Sequence, residues 1–218
     1  EVSGVVEIPT NLNVSIQTNA VKTQYDDVTI ENLRGNVQIQ NGTLKLSNGT
    51  LDIIGATAKM DAMYKNEGTQ KAYFDYKINA SEFDIKRAYN EIKMFREIVT
   101  AAESAEGIVG LNYSIKGVLN NQMESIMPSL EGSGILSVKK VKMKGFKLLN
   151  VVSSKTENPD IKDPDISKVD IKTTIKNNIV TIERFKFKVA GFRLRFEGQT
   201  SLDGKLNLKM RIGLPPLG

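Results

Sequence analysis

Four phenylalanines near the end of the chain, Phe185, Phe187, Phe192 and Phe196, are interleaved with four cations, Lys186, Lys188, Arg193 and Arg195. Rings and cations at this density can build a base-stacking platform or an apolar surface with a charged back. The spacing decides between them. Neighbouring residues of a strand point to opposite faces. The rings therefore share one face and the cations the other. Stacking on nucleic acid needs both on the same face, so nucleic acid is not an expected partner. A surface for hydrocarbon needs only the rings.

Other chemistries fail on residue type. The 218 residues include no His, no Cys and no Trp. That excludes Cys/His metal sites, thiol nucleophiles, disulfides and His-dependent triads. There is no G-x-S-x-G, Walker A loop or dinucleotide fingerprint. Ser137-Val138-Lys139-Lys140 fits S-x-x-K by letter, but lies in an alternating strand without the S-D-N or K-T-G that accompany it. Asp160, Asp163, Asp165 and Asp170 cluster without EF-hand spacing and read as a solvated acidic turn. No catalytic residue, metal or cofactor is expected.

Charge is uneven. Residues 1–138 carry 12 Lys+Arg against 17 Asp+Glu, and residues 139–218 carry 18 against 8. The basic half suits anionic partners, or lines a solvated sheet face and guards its edges. No run approaches the 18 or so apolar residues of a spanning helix. The short strands and few aromatics argue against a membrane barrel. The chain starts at Glu1, so any anchor is expected upstream.

The elements that would carry the rings follow from periodicity. Apolar residues alternate at Leu12/Val14/Ile16, Leu44/Leu46, Leu51/Ile53, Phe74/Tyr76/Ile78, Leu111/Tyr113/Ile115 and Leu206/Leu208/Met210/Ile212. Asn41-Gly42, Asn48-Gly49, Asn177-Asn178 and Asp203-Gly204 read as tight turns between strands. An antiparallel sheet joined by hairpins is expected. Residues 39–60 repeat at 175–196 without gaps, offset by 136: Asn41 falls on Asn177, Leu46 on Ile182, Leu51 on Phe187 and Gly55 on Gly191. Between Asp84 and Glu103 the period changes: Ile85, Tyr89, Ile92, Phe95 and Val99 predict one amphipathic helix about 30 Å long. Ser81 or Asp84 would cap it and Gly107 end it. A shorter helix is expected over 146–153, and a loop over 154–168.

The order of these features resembles the C-terminal region of AsmA-like proteins in their Bacteroidetes form. The resemblance is carried by Phe83-Asp84-Ile85, Ser104-Ala105-Glu106-Gly107, Leu130-Glu131-Gly132-Ser133-Gly134, Phe146-Lys147-Leu148-Leu149, Leu202-Asp203-Gly204 and Leu214-Pro215. It covers residues 80–218, with 1–79 as preceding β repeats. The resemblance implies a periplasmic envelope protein anchored in the inner membrane by an N-terminal helix. It also implies a trough-shaped sheet with a hydrophobic interior, linked to outer-membrane biogenesis and phospholipid movement. It carries no catalytic or ligand residues over.

The expected architecture is a single mainly β domain. Residues 1–80 form β-meander repeats, 81–106 a helix, and 107–218 the C-terminal β repeats. The sheet is a highly curved half-barrel trough. Its apolar lining is expected from Phe185, Phe187, Val189, Leu194, Phe196, Leu206, Leu208 and Met210. Ile85, Tyr89, Ile92, Phe95 and Val99 are expected to form a lid. The expected function is non-enzymatic binding or conduction of phospholipid or another envelope lipid. The alternative is an assembly module that docks envelope proteins through a sheet edge or its basic face. Alternation does not separate an open groove from a closed core, because both bury every second residue.

Overall fold

The computed structural model describes residues 4–25, 28–203 and 205–213. Eleven strands form one sheet in strict sequence order. They are β1 (Val14–Tyr25), β2 (Val28–Gln40), β3 (Thr43–Ile53), β4 (Ala56–Glu67), β5 (Lys71–Asp84), β6 (Ala105–Leu119), β7 (Glu131–Met143), β8 (Asp165–Lys176), β9 (Ile179–Val189), β10 (Phe192–Ser201) and β11 (Leu206–Gly213). Every neighbouring pair is antiparallel. The sheet is not closed into a barrel: β1 and β11 are its two ends.

Local chemistry explains the hairpins and the internal repeat. Asn41 and Gly42, at φ +52° and +71°, have counterparts in Asn177 and Asn178, at +51° and +63°. One turn later in each copy, Ile54 and Gly55 (+49°, +72°) match Ala190 and Gly191 (+49°, +82°). Two successive positive φ values are the signature of a two-residue turn whose twist matches the flanking strands. The repeat therefore superposes β3 on β9 and β4 on β10. Asn48-Gly49, expected as a turn, instead lies inside β3. Asn48 is at φ +52°, its N–H bonds the Asp61 carboxylate at 2.9 Å, and the β3–β4 register shifts there. It is a bulge, for which Asn in the left-handed region is equally suited. Gly204 of the Asp203-Gly204 turn, and Leu214-Pro215, lie outside the described residues.

That bulge is one of a line. The inward set switches parity between Leu33 and Ile30, Leu46 and Leu51, Ala80 and Phe83, Val138 and Val141, and Ile182 and Phe185. Register shifts accompany the switches on several strand pairs. At one, Gly107 sits at φ +134°, where a Cβ would collide with the Lys140 carbonyl. Bulges raise local twist and bend the sheet. Residues of ten consecutive strands, from Thr23 on β1 to Phe196 on β10, border one common cavity. Ten flat strands would span about 43 Å, so this convergence requires the sheet to curl.

The β8–β9 ladder is incomplete. It joins only Thr173–Lys176 to Ile179–Ile182. Beyond Thr173 the register pairs Asp165–Lys172 only with β7 and Phe185–Val189 only with β10. The sheet splits there over about 20 Å.

The helices fill the long crossovers. Between β5 and β6 the expected single helix is broken into α1 (Ile85–Glu91), α2 (Lys93–Ile98) and a 3₁₀ stretch, Thr100–Ser104. The break is at Ile92, in extended conformation at φ −114°, ψ 106°. Arg96 folds back to donate to the Tyr89 and Asn90 carbonyls, both at 3.1 Å, and so satisfies the freed end of α1. Asp84 is the N-cap, accepting from the Arg87 N–H at 3.0 Å, while Ser81 belongs to β5 and Gly107 to β6. The segment expected as a helix from 81 is thus strand to Asp84. The second helix, α3 (Lys147–Thr156), runs three residues further than expected, and a 3₁₀ turn, Pro159–Ile161, interrupts the loop.

Two apolar clusters hold the ends. The larger gathers α1, α3 and the strands beside them around Phe83, Ala88, Val109, Leu149, Ile161 and Leu194. The smaller gathers Val5, Tyr64, Phe74, Leu119, Leu130 and Ile175. The N-terminal segment is tied to it: the Val5 N–H donates to the Thr69 carbonyl, and the Tyr64 hydroxyl donates to the Val6 carbonyl at 2.6 Å.

Candidate functional site: an apolar trough

Between the clusters the interior is not filled. One cavity of roughly 1590 Å³ runs from Val6 and Ile8 of the N-terminal segment to α1, α2 and α3. On β4 it extends from Ala56 to Tyr64, about 26 Å at the rise of a strand. The void has a cause in residue size. On β4 the alternating residues Ala56, Ala58, Met60, Ala62 and Tyr64 line it, with Met63 beside them, and Ala80 follows on β5. Four alanines on the wall leave space that larger side chains would occupy.

The lining is aliphatic and aromatic. Its charged members are Glu103 and Lys147, both exposed and both beside the helices. Val151 on α3 also borders the cavity and is 50% exposed, so this end has an open rim. Deeper in, Tyr113 meets Thr173 hydroxyl to hydroxyl at 2.9 Å. Burial pushes the Tyr113 phenol above its ordinary pKa, and the Thr173 hydrogen bond offsets part of that. The phenol is therefore neutral at physiological pH. A surface of this kind can shelter hydrocarbon. Among the described residues, its charged members stay at the helix end of the cavity.

The residues singled out by sequence separate into three groups. Phe185, Phe187 and Phe196 border the cavity. Val189 and Leu194 do not. They are buried in the surrounding core, Leu194 completely. Leu206, Leu208 and Met210 stand on β11 opposite Thr200, Gly198 and Phe196, and their side chains lie outside the described residues. Of the lid set, Ile85, Ile92, Phe95 and Val99 border the cavity. Tyr89 instead packs half-buried against the larger cluster. Phe83 and Phe95 meet edge to face, with centroids 5.9 Å apart, and join β5 to α2.

The N-terminal half of the wall was missed. Leu44, Leu46, Leu51 and Met60 border the cavity as Val180, Ile182, Phe187 and Phe196 do. The signal was available, because the offset of 136 maps each of the first four onto its counterpart. The alanines of β4 were a second signal.

The discarded motifs lie elsewhere. Ser137 and Lys140 of the S-x-x-K match are on β7, opposite Gly110 and Ile108, outside the cavity lining. Asp163 accepts from the Gly145 N–H at 3.0 Å and fastens the start of the α3 crossover. Among the described residues no group of acidic side chains is arranged to hold a metal ion, and no helix is long and apolar enough to cross a membrane. Comparison with protein-family models, curated proteins and solved structures returns no match.

Proposed function

We propose that this chain is a non-enzymatic module of the bacterial envelope that binds or conducts lipid along its trough, in the manner implied by the resemblance to AsmA-like proteins. The observation that carries the reading is the unfilled, hydrocarbon-lined interior of roughly 1590 Å³. Ordinary small-molecule sites occupy about 300–1,000 Å³ and present several convergent polar groups. This one is larger and nearly without them. Its length of about 26 Å exceeds one acyl chain, taken as half of a ~30 Å bilayer core. Each methylene moved from water into it contributes about 0.8 kcal/mol. The ligand class is phospholipid or another envelope lipid. The compartment is the periplasm, with an inner-membrane anchor elsewhere in the full-length protein.

Native mass spectrometry after gentle purification tests the reading. Copurified phospholipid is expected, and it should be reduced in a folded Phe187→Asp variant. A lipid-free protein that also takes up no fluorescent acyl chain contradicts it. A second reading has one observation behind it. Edge strand β1 exposes Ile16 and Val21, at 52% and 75%, and an open edge with apolar side chains suits strand addition by another envelope protein. On that reading the lipid-free outcome stands together with a captured β-strand partner.

A further inference from the structure

The outer face of the sheet is wired differently in its two halves. In the first half, each cation that faces a charge faces a carboxylate. Lys22 lies opposite Glu31, Asp61 opposite Lys77, and Asp75 opposite Lys116. Lys116 in turn reaches Glu131 at 3.6 Å. On the last three strands Glu197 faces Lys209 in the same way, but the neighbouring rungs set cation against cation. Lys186, Arg195 and Arg211 stand directly opposite one another across β9, β10 and β11. Lys188 and Arg193 form a second like-charged rung. All five side chains are exposed, and none has an ion-pair partner among the described residues. Arg184 is the exception, held by Glu197 at 2.9 Å.

Like charges directly opposite on a sheet are destabilising, and in the first half of the same sheet they meet at a single carboxylate pair, Glu31 opposite Asp52, and at no pair of cations. A row of cations about 5 Å apart on a stiff support is an array awaiting anions. Anions spread over a plane match it better than a single ligand does. The rings of the same strands point inward, so nothing on this face is offered for base stacking.

We propose that the outer face of β9–β11 docks the protein onto the anionic surface of a phospholipid bilayer. Lys186, Arg195 and Arg211 form the central row of contacts. The β8–β9 split borders this face, so docking sets the split against the bilayer as an entry for acyl chains. That last step rests on the lipid reading above, whereas the docking itself does not.

The test is flotation of the full chain with vesicles of equimolar phosphatidylglycerol and phosphatidylcholine, against vesicles of phosphatidylcholine alone. Binding to the anionic vesicles is expected, weakening as salt rises. A cation near an anionic leaflet strengthens binding about fivefold. The triple variant Lys186→Gln/Arg195→Gln/Arg211→Gln should therefore bind about a hundredfold more weakly, with its melting temperature unchanged or raised. Lys77→Gln/Lys116→Gln, on the charge-paired half, should bind as the parent does. Equal binding to both vesicle types, parent-like binding by the triple variant, or tighter binding to a single-stranded oligonucleotide at the same salt would overturn the proposal. Uptake of a fluorescent fatty acid from vesicle-free solution reports on the trough alone. It should persist in the triple variant, and its loss there would overturn the assignment of these cations to the outer surface.

Discussion

Replacing Ala62 by phenylalanine separates an empty trough from a packed core. Ala62 stands on β4 between Leu46 on β3 and Tyr76 on β5, and all three border the cavity. In a filled core the larger ring would force strain costing about 1–3 kcal/mol. Here it enters unfilled space against apolar walls. Aromatic side chains bury about 150–250 Å². At ~25 cal/mol per Å² even partial burial of the added ring offsets its lost rotamer freedom. Stability should hold or rise by about 1 kcal/mol, read from urea unfolding. The ring also takes the place of about three or four methylenes of a bound chain. At ~0.8 kcal/mol each, that removes about 2–3 kcal/mol of binding, a fall in affinity of roughly 30- to 150-fold. The assay is displacement of a fluorescent fatty acid, run beside the unfolding curve. Destabilisation by more than about 2 kcal/mol with unchanged affinity would refute the reasoning, because it would mean that the space beside Ala62 is already occupied by protein.

Three further outcomes follow from the packing and the charges. Leu194 is fully buried and does not border the cavity, so Leu194→Ala should cost about 2–5 kcal/mol in urea unfolding. Gly191 has φ +82° and open space around the position of a Cβ, so Gly191→Ala should cost about 1 kcal/mol from backbone strain alone. Glu197 is held below its ordinary pKa of 4.5, chiefly by the Arg184 hydrogen bond and then by its charge. A depressed carboxylate stabilises the fold above its unfolded pKa and loses that contribution as pH falls through the folded value. The melting temperature should therefore drop as pH is lowered beneath about 4.5, and Arg184→Gln should flatten that decline.

The strands were legible because each is polar on one side, and the hairpins because Asn41-Gly42 and Asn177-Asn178 carry the residues that positive φ favours. Asn48-Gly49 misled because a bulge and a turn ask for the same residues. Only the parity switch from Leu46 to Leu51 told them apart. The break at Ile92 was hidden for a different reason. Its amphipathic spacing continues from Tyr89 through Phe95, and the contact that satisfies the broken end, Arg96 on the Tyr89 and Asn90 carbonyls, leaves no mark in that spacing. The void itself was half visible. Alternation places Met60 and Phe187 inward whether or not a neighbour fills the space between them, and the alanines of β4 are what leave it empty. The β8–β9 split has no local signature, since both strands alternate as though fully paired.

Methionine methyl groups supply the most direct test of the central claim, that the trough interior receives hydrocarbon. Met60 and Met63 border the cavity from β4, Met94 from α2, Met123 from the β6–β7 connection and Met143 from β7, whereas Met127 does not. With methyl-labelled methionine and a stearic acid carrying a nitroxide near its methyl end, the account predicts selective broadening of these five cavity resonances while Met127 stays sharp. Five unbroadened signals at saturating fatty acid, or broadening no greater than that of Met127, would contradict it.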